Sequence, residues 1–348
     1  MESPSHPRGE LRIGLWGTFD AESYGPALLP RIVRHELGRR LPAAVVRTFG
    51  ILGERSPSRF DGGPLEPLGA PTPERLADLA TSLDVVIVAG EMHVRDEAWA
   101  ADYPVDPREV SRLAPSRFFL DGLGRELEEE CPVLWHAIAV PSDIDEREAP
   151  RVRRALEARL HVSVRDRASL RRLRAAGVVR EVAVVPDPTV LLPRVLPRDL
   201  LADRARALRD AGTLPPDRFL IVQGGRGDLD HVDAIGTAVR DLAGRKEAVP
   251  LVVETGHGDG EFAAALRERV PAAGRLGPAG IVDLTAAIAA SVGFVGSSRQ
   301  AAVVALSYGR PPAVLALGAE PGDVPEALGD PDIVIRDPDR IPDAFDAS

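Results

Sequence analysis

The chain of 348 residues has one cysteine, Cys131. No intramolecular disulfide can form, and no zinc site built on several thiolates is available. Cys131 stands before Pro132 and reads as a buried or loop-end thiol. Aromatic residues make up 4% of the chain and lysine is almost absent. Alanine, arginine, glycine and proline are abundant instead, which fits a GC-rich coding sequence and says nothing of function. No run of about 18 apolar residues occurs, so no membrane-spanning helix is expected. The opening stretch MESPSHPRGE is polar and lacks the apolar core of a secretion signal. Positive charge is in deficit: 43 basic residues stand against 53 acidic ones, a net charge of −10. A general nucleic-acid or membrane-surface binder carries the opposite excess. These absences lead to the expectation of a cytoplasmic protein with no nucleic-acid partner and no membrane span. They leave room for a local basic pocket that takes an anion. The oligomeric state is not legible.

What is present is a 44% hydrophobic chain, enough for a sizeable core, and a repeated pattern of strand then helix. Short apolar runs such as LRIGLWG (11–17), AAVVRTF (43–49), DVVIVAG (84–90) and CPVLWHAIAV (131–140) alternate with amphipathic stretches. Helices are expected over 26–41, 73–83, 146–159 and 169–177. After a Pro- and Arg-rich segment near 186–216 the pattern restarts with DRFLIVQGG (217–225), and it continues to the strand after GSSRQAAVVALSYGR (296–310). Strands that are apolar throughout, each followed by a helix, build parallel sheets with helices on both faces. The expected fold is α/β, with two Rossmann-like domains facing across a cleft, residues 1–192 and 193–348. The Pro- and Asp-rich tail, 318–348, has one short strand, DIVIR, and is expected to cap the second domain.

Ligands of such folds sit at the carboxyl ends of strands. The junctions where polar residues follow an apolar strand are therefore the candidate site: Gly17-Thr18, Gly90-Glu91, His136, Arg165-Asp166, Asp187, Gln223-Gly224-Gly225, His257-Gly258-Asp259 and Ser297-Ser298-Arg299-Gln300. Arg165 is the most telling, because a guanidinium can hold a carboxylate or phosphate through two bonds. Ser297 and Ser298 precede a helix whose free amides suit an anion, or whose start they simply cap. Asp166 reads first as a helix cap, and His257-Gly258-Asp259 as a turn. His136 lies inside an apolar strand and reads as a core histidine. GGRGD (224–228) lacks the Lys-Ser/Thr of a phosphate loop, and GLWGTF (14–19) is not a GxGxxG fingerprint. No metal site of recognisable spacing is present, and no cofactor is expected.

Three segments carry a family resemblance. VSVRDRASLRRLRAAGVVREVAVVPDPTVLL (162–192) resembles the SVRD to VVPDP segment of the polysaccharide pyruvyl transferase family. IGLWGTFDAESYGPALLPRIVRHELGRRL (13–41) resembles its amino-terminal GTF–NYGD–LL segment, and IAASVGFVGSSRQAAVVALSYGRPPAVL (288–315) its carboxy-terminal one. The resemblance implies a glycosyltransferase-B-like architecture. It also implies transfer of a pyruvyl group from phosphoenolpyruvate onto sugar hydroxyls as a ketal, with an anionic donor and a glycan acceptor as partners. Arg165 falls on the SVRD arginine and is expected to bind the donor. The family's LHG motif falls on Arg299, Gln300 and Ala301, so its general-acid histidine is Gln300 here. The aspartate of NYGD falls on Pro26, its asparagine on Ser23, and the glycine-rich turn after DVVIV reads Ala89-Gly90-Glu91. Glutamine donates a hydrogen bond but delivers no proton at neutral pH.

The expected catalytic set is Arg165, His257 and Gln300, with Gly17, Thr18, Glu91, Gln223, Ser297, Ser298 and Arg299 lining the substrate site. His257, His93 and Glu91 are the groups that can take over as acid. Two alternatives stay open: a related transferase with a nucleotide-sugar donor, and a cleft protein without catalysis.

Overall fold

The computed structural model describes residues 10–53, 60, 63–92, 94, 103, 106, 109, 112–113, 116–121, 131–157, 159–256, 258–317 and 333–347. Two all-parallel sheets form its two domains. The first has seven strands in the order β3-β2-β1-β4-β5-β6-β7. They are β1 (Arg12–Trp16), β2 (Val45–Gly50), β3 (Glu66–Pro67), β4 (Val85–Glu91), β5 (Val133–Ala139), β6 (His161–Val164) and β7 (Ala183–Val184). The second has six in the order β10-β9-β8-β11-β12-β13. These are β8 (Phe219–Val222), β9 (Val249–Val252), β10 (Gly274–Arg275), β11 (Phe294–Gly296), β12 (Pro312–Leu315) and β13 (Val334–Ile335). Central strands such as FLIV of β8 are buried at every residue, as strands covered on both faces must be.

In the first domain α1 (Tyr24–Arg40) covers one face, and α2 (Pro73–Ser82), α3 (Ala149–Glu157) and α4 (Arg167–Ala175) cover the other. Leu79, Val152, Leu156 and Leu173 of those three helices join Trp16, Val86, Val88, Trp135 and Val164 in one core. Strand β5 carries a bulge between Trp135 and Ile138, with Ala137 at φ 52° and its N–H on Ser163 Oγ. The bulge shifts the side-chain alternation, so Trp135 and Ile138 both reach the same core.

The Pro- and Arg-rich segment expected to separate the domains is itself helical. A 3₁₀ turn (Pro188–Leu191) leads into α5 (Leu192–Val195) and α6 (Arg198–Asp210). Leu201, Ala205 and Leu208 stand at helical spacing on α6 and are buried. Further on come α7 (Val232–Arg245), α8 (Asp259–Arg269), α9 (Ile281–Ala290), α10 (Arg299–Ser307) and α11 (Ile341–Ala347). Within the tail, β13 extends the second sheet and Phe345 of α11 closes over Gly293, where a Cβ would lie 2.2 Å from the ring.

The domains are joined by more than the chain crossing. Tyr24, Ala27, Leu28 and Ile32 of α1 share a core with Phe219, Leu284, Ala301 and Val304 of the second domain. The start of α1 is satisfied from across the boundary: Tyr24 N–H donates to Thr255 O at 2.7 Å. Pro26 lies in this first turn, where its missing amide is one the helix leaves free anyway. Among the described residues no helix is long and apolar enough to cross a membrane.

Candidate active site

The carboxyl ends of β1, β4, β6 and β7 and those of β8, β9 and β11 supply the described residues named from the sequence, apart from His136 inside β5. Arg165 follows β6 and is 8% exposed. Its guanidinium lies among three carboxylates: Glu91 Oε1 accepts from Nη2 at 3.3 Å, Asp187 Oδ2 is 3.6 Å from Nη1, and Asp166 Oδ2 is 3.9 Å from Nε. Glu91, at the end of β4, is the most open of the three, with a side chain 35% exposed.

Asp166 has two duties. Oδ1 caps α4, accepting from Ser169 N–H at 2.6 Å, while Oδ2 accepts from Arg299 Nη1 at 3.2 Å. Arg299 comes from the head of α10 in the other domain, so this pair spans the cleft. Arg165 Nε and Arg299 Nη2 are buried and have no hydrogen-bond partner among the described residues. Two guanidinium groups, one from each domain, thus approach one carboxylate oxygen with a spare donor each.

The other candidates are held by internal bonds. Gln223 is 3% exposed. Its Oε1 accepts from Ser298 N–H at 2.8 Å and its Nε2 donates to Asp259 at 3.0 Å. Gly296 must be glycine here, since a Cβ would lie 2.6 Å from Gln223 O. Ser297 Oγ is 2.6 Å from Asp228 Oδ2, and Ser298 Oγ caps α10 through Ala301 N–H. Gln300 packs against α1 of the first domain: a Cβ on Gly25 would be 2.5 Å from Gln300 Cγ. Gly17 and Thr18 are buried at the end of β1, with Gly17 N–H on Phe49 O. His257 and His93 lie outside the described residues. Among the described residues no group of His, Cys, Asp and Glu is arranged to hold a metal ion.

Two buried carboxylates that the sequence did not single out as bonding hubs organise these loops. Asp20 accepts from the N–H groups of Ile51, Leu52 and Gly53 and from Tyr103 Oη. Asp259 Oδ2 accepts from Gln223, from Thr255 N–H and Oγ1, and from Gly256 N–H. The available signal for both was an Asp between a strand end and a helix, which is too common to discriminate.

Burial pushes the Asp259 carboxyl above its ordinary value, against those four bonds. The folded protein then holds this proton more tightly than the unfolded chain does. Its contribution to stability is present at low pH and declines as pH rises from about 3.8 through the folded value. Asp259→Asn keeps an acceptor oxygen and removes the charge, so it is expected to melt at or above the wild-type temperature near neutral pH. Asp259→Ala orphans several buried donors and is expected to lose about 2–3 kcal/mol. Melting curves at acid and neutral pH check both. An Asn variant as unstable as the Ala variant would mean that the charge itself is required.

Two Rossmann-like domains with an arginine from each meeting in the cleft define a protein of glycosyltransferase-B-like architecture. Solved structures agree. UDP-GlcNAc 2-epimerase from Methanocaldococcus jannaschii superposes with a TM-score of 0.61 at 11% identity, over 97% of this chain and 92% of that one. UDP-GlcNAc 2-epimerase from Neisseria meningitidis bound to UDP-GlcNAc gives 0.55 at 13%, over 97% and 90%. The wall teichoic acid polymerase TagF gives 0.52 at 11%, over 97% and 78%. No curated protein matches the chain in sequence. The chain belongs to the polysaccharide pyruvyl transferase family, whose model matches residues 24–318.

Proposed function

We propose that the protein transfers the pyruvyl group of phosphoenolpyruvate to two hydroxyls of a sugar acceptor. Family membership places it among polysaccharide-modifying transferases. The observation that carries the donor assignment is the pair of spare, buried guanidinium donors, Arg165 Nε and Arg299 Nη2, contributed by opposite domains. Phosphoenolpyruvate carries a carboxylate and a phosphate, and charge-assisted bonds from arginine suit both.

The chemistry adds a proton to the methylene carbon, which becomes a methyl group and leaves the adjacent carbon electrophilic. One sugar hydroxyl adds there. The bond from that carbon to the phosphate oxygen breaks, and the second hydroxyl closes the ketal. Two hydroxyl protons are lost; one balances the methyl proton and the other leaves on hydrogen phosphate. Gln300 supplies no proton. Glu91 is the described carboxyl group assigned to this step, by its position: it stands beside Arg165, where the anion is to bind, and its side chain is 35% exposed.

A non-catalytic cleft is the second reading, and specific contacts favour it. Gln300 is packed against Gly25, and both arginines are already ion-paired within the chain. Phosphate release from phosphoenolpyruvate, measured with a panel of oligosaccharide acceptors, separates the two. Turnover that falls at least about 100-fold in Glu91→Gln supports the first. No release by the wild type, and none after Gln300→His with Pro26→Asp, supports the second.

A further inference from the structure

The first sheet has a face that the helices among the described residues cover only in part. Strands lie about 4.8 Å apart and helices about 10 Å, so one helix covers roughly two strands. On this face α1 lies against Leu15, Ile87 and Ala89 of β1 and β4, and the segment 185–191, which ends in the 3₁₀ turn Pro188–Leu191, lies beyond β6. Between them, over β5, a pocket of about 420 Å3 remains. That volume falls within the range of small-molecule sites, about 300–1,000 Å3.

Its walls are apolar: Ile32 and Val33 from α1, Ile87 from β4, Leu134 from β5, and Val190 and Leu191 from the crossing segment. His136 of β5 also lines it, on the same side of the strand as Leu134. Its backbone belongs to the β4–β5 ladder, but among the described residues its imidazole has no hydrogen-bond partner, which departs from a satisfied core histidine. Burial, with His161 and Arg40 nearby, pushes its imidazole down, so a neutral ring with one donor and one acceptor faces the pocket. The α1 edge carries an excess of positive charge. Arg39 and Arg40 each lie 3.5 Å from Glu36, which also accepts from Arg194 at 3.2 Å, so three guanidinium groups share one carboxylate. Arg39 and Arg40 are 58% and 73% exposed. Asp187 divides the pocket from the cleft, its carboxylate held by Thr189 N–H and Arg165.

We propose that this pocket is a second ligand site, separate from the cleft, for a small amphiphilic carboxylate. The hydrocarbon body lies against the six apolar walls, and the acid group sits by Arg40 and His161. A free acid and an anionic lipid share the features used here, an apolar chain and an anionic head.

Octanoate titrated calorimetrically into the full chain is the test, with octanol as the uncharged control. Saturable binding at one site per chain is expected, with octanol at least tenfold weaker. Val190→Trp, which fills the pocket from a half-exposed position, and Arg40→Glu, which reverses charge at its edge, are each expected to weaken octanoate at least tenfold. Arg299→Ala, in the cleft, is expected to leave it unchanged. Both pocket substitutions sit at exposed positions, and an unchanged melting temperature shows that the fold is kept. Cosedimentation with phosphatidylglycerol vesicles that Val190→Trp abolishes assigns the ligand to a lipid; octanoate binding without cosedimentation assigns a soluble acid. The proposal is overturned by the absence of saturable octanoate binding, by equal affinity of wild type and Val190→Trp, or by loss in Arg299→Ala alone.

Discussion

Phosphoenolpyruvate affinity is expected to fall about 100-fold or more in Arg165→Ala and about tenfold in Arg165→Lys. The alanine variant removes the guanidinium that brings the donor to β6, and a charge-assisted two-point contact accounts for a loss of that size. Lysine keeps the charge but offers a point rather than a fork. The lysine variant also protects the test. Arg165 is buried among Glu91, Asp166 and Asp187, and removing it leaves Arg299 to pair with Asp166 and takes this cation from Glu91 and Asp187, which costs about 3–5 kcal/mol for a buried group. Calorimetry on folded protein measures the affinities. Equal binding by wild type and the lysine variant would make Arg165 an ion-pair hub and move the donor elsewhere. No binding to the wild type would remove phosphoenolpyruvate as the donor and favour the non-catalytic reading.

A second large effect is expected at Tyr24. Its ring belongs to the first domain yet is fully buried in the core of the second, beside Phe60 and Leu284. Thr285 Oγ1 donates to Ile281 O, so its remaining capacity is as acceptor, and Tyr24 Oη donates to it at 2.7 Å. Burial pushes the phenol far up, which keeps the donor proton in place. Tyr24→Ala is expected to lose about 3–5 kcal/mol, as truncation of a buried aromatic does. Tyr24→Phe removes only the hydroxyl and is expected to lose about 1 kcal/mol. Denaturant unfolding followed by far-ultraviolet circular dichroism, which reports both domains, and by tryptophan fluorescence, whose three residues all precede the second sheet, measures both. Because the ring joins the two cores, the alanine variant is expected to separate one transition into two. A single transition with little lost stability would show that the domains are held together elsewhere.

Much of this architecture could be read along the chain. Apolar runs such as VVIVAG and FLIV need cover on both faces, and the intervening amphipathic stretches can supply it only in a parallel α/β arrangement. Asp166 before RASL announced a helix cap, and it is one. Other features were not legible for physical reasons. The helix over Arg198–Asp210 was hidden by its arginines, which lie on the exposed face while Leu201, Ala205 and Leu208 turn inward. The bulge at Ala137 depends on Ser163 of the neighbouring strand, and strand register is not a local property.

The sequence by itself determined the class of fold, the family and the identity of the residues at each strand end, because periodicity and short motifs are local. Tertiary structure decided how those strand ends are used. It alone set Arg299 against Asp166 across the cleft and packed Gln300 on Gly25. It committed Gln223, Ser297 and Ser298 to one another's loops, and it left a pocket over β5. Each of these pairs residues far apart in the chain, and only the packing of two domains and the finite width of one helix bring them together or hold them apart.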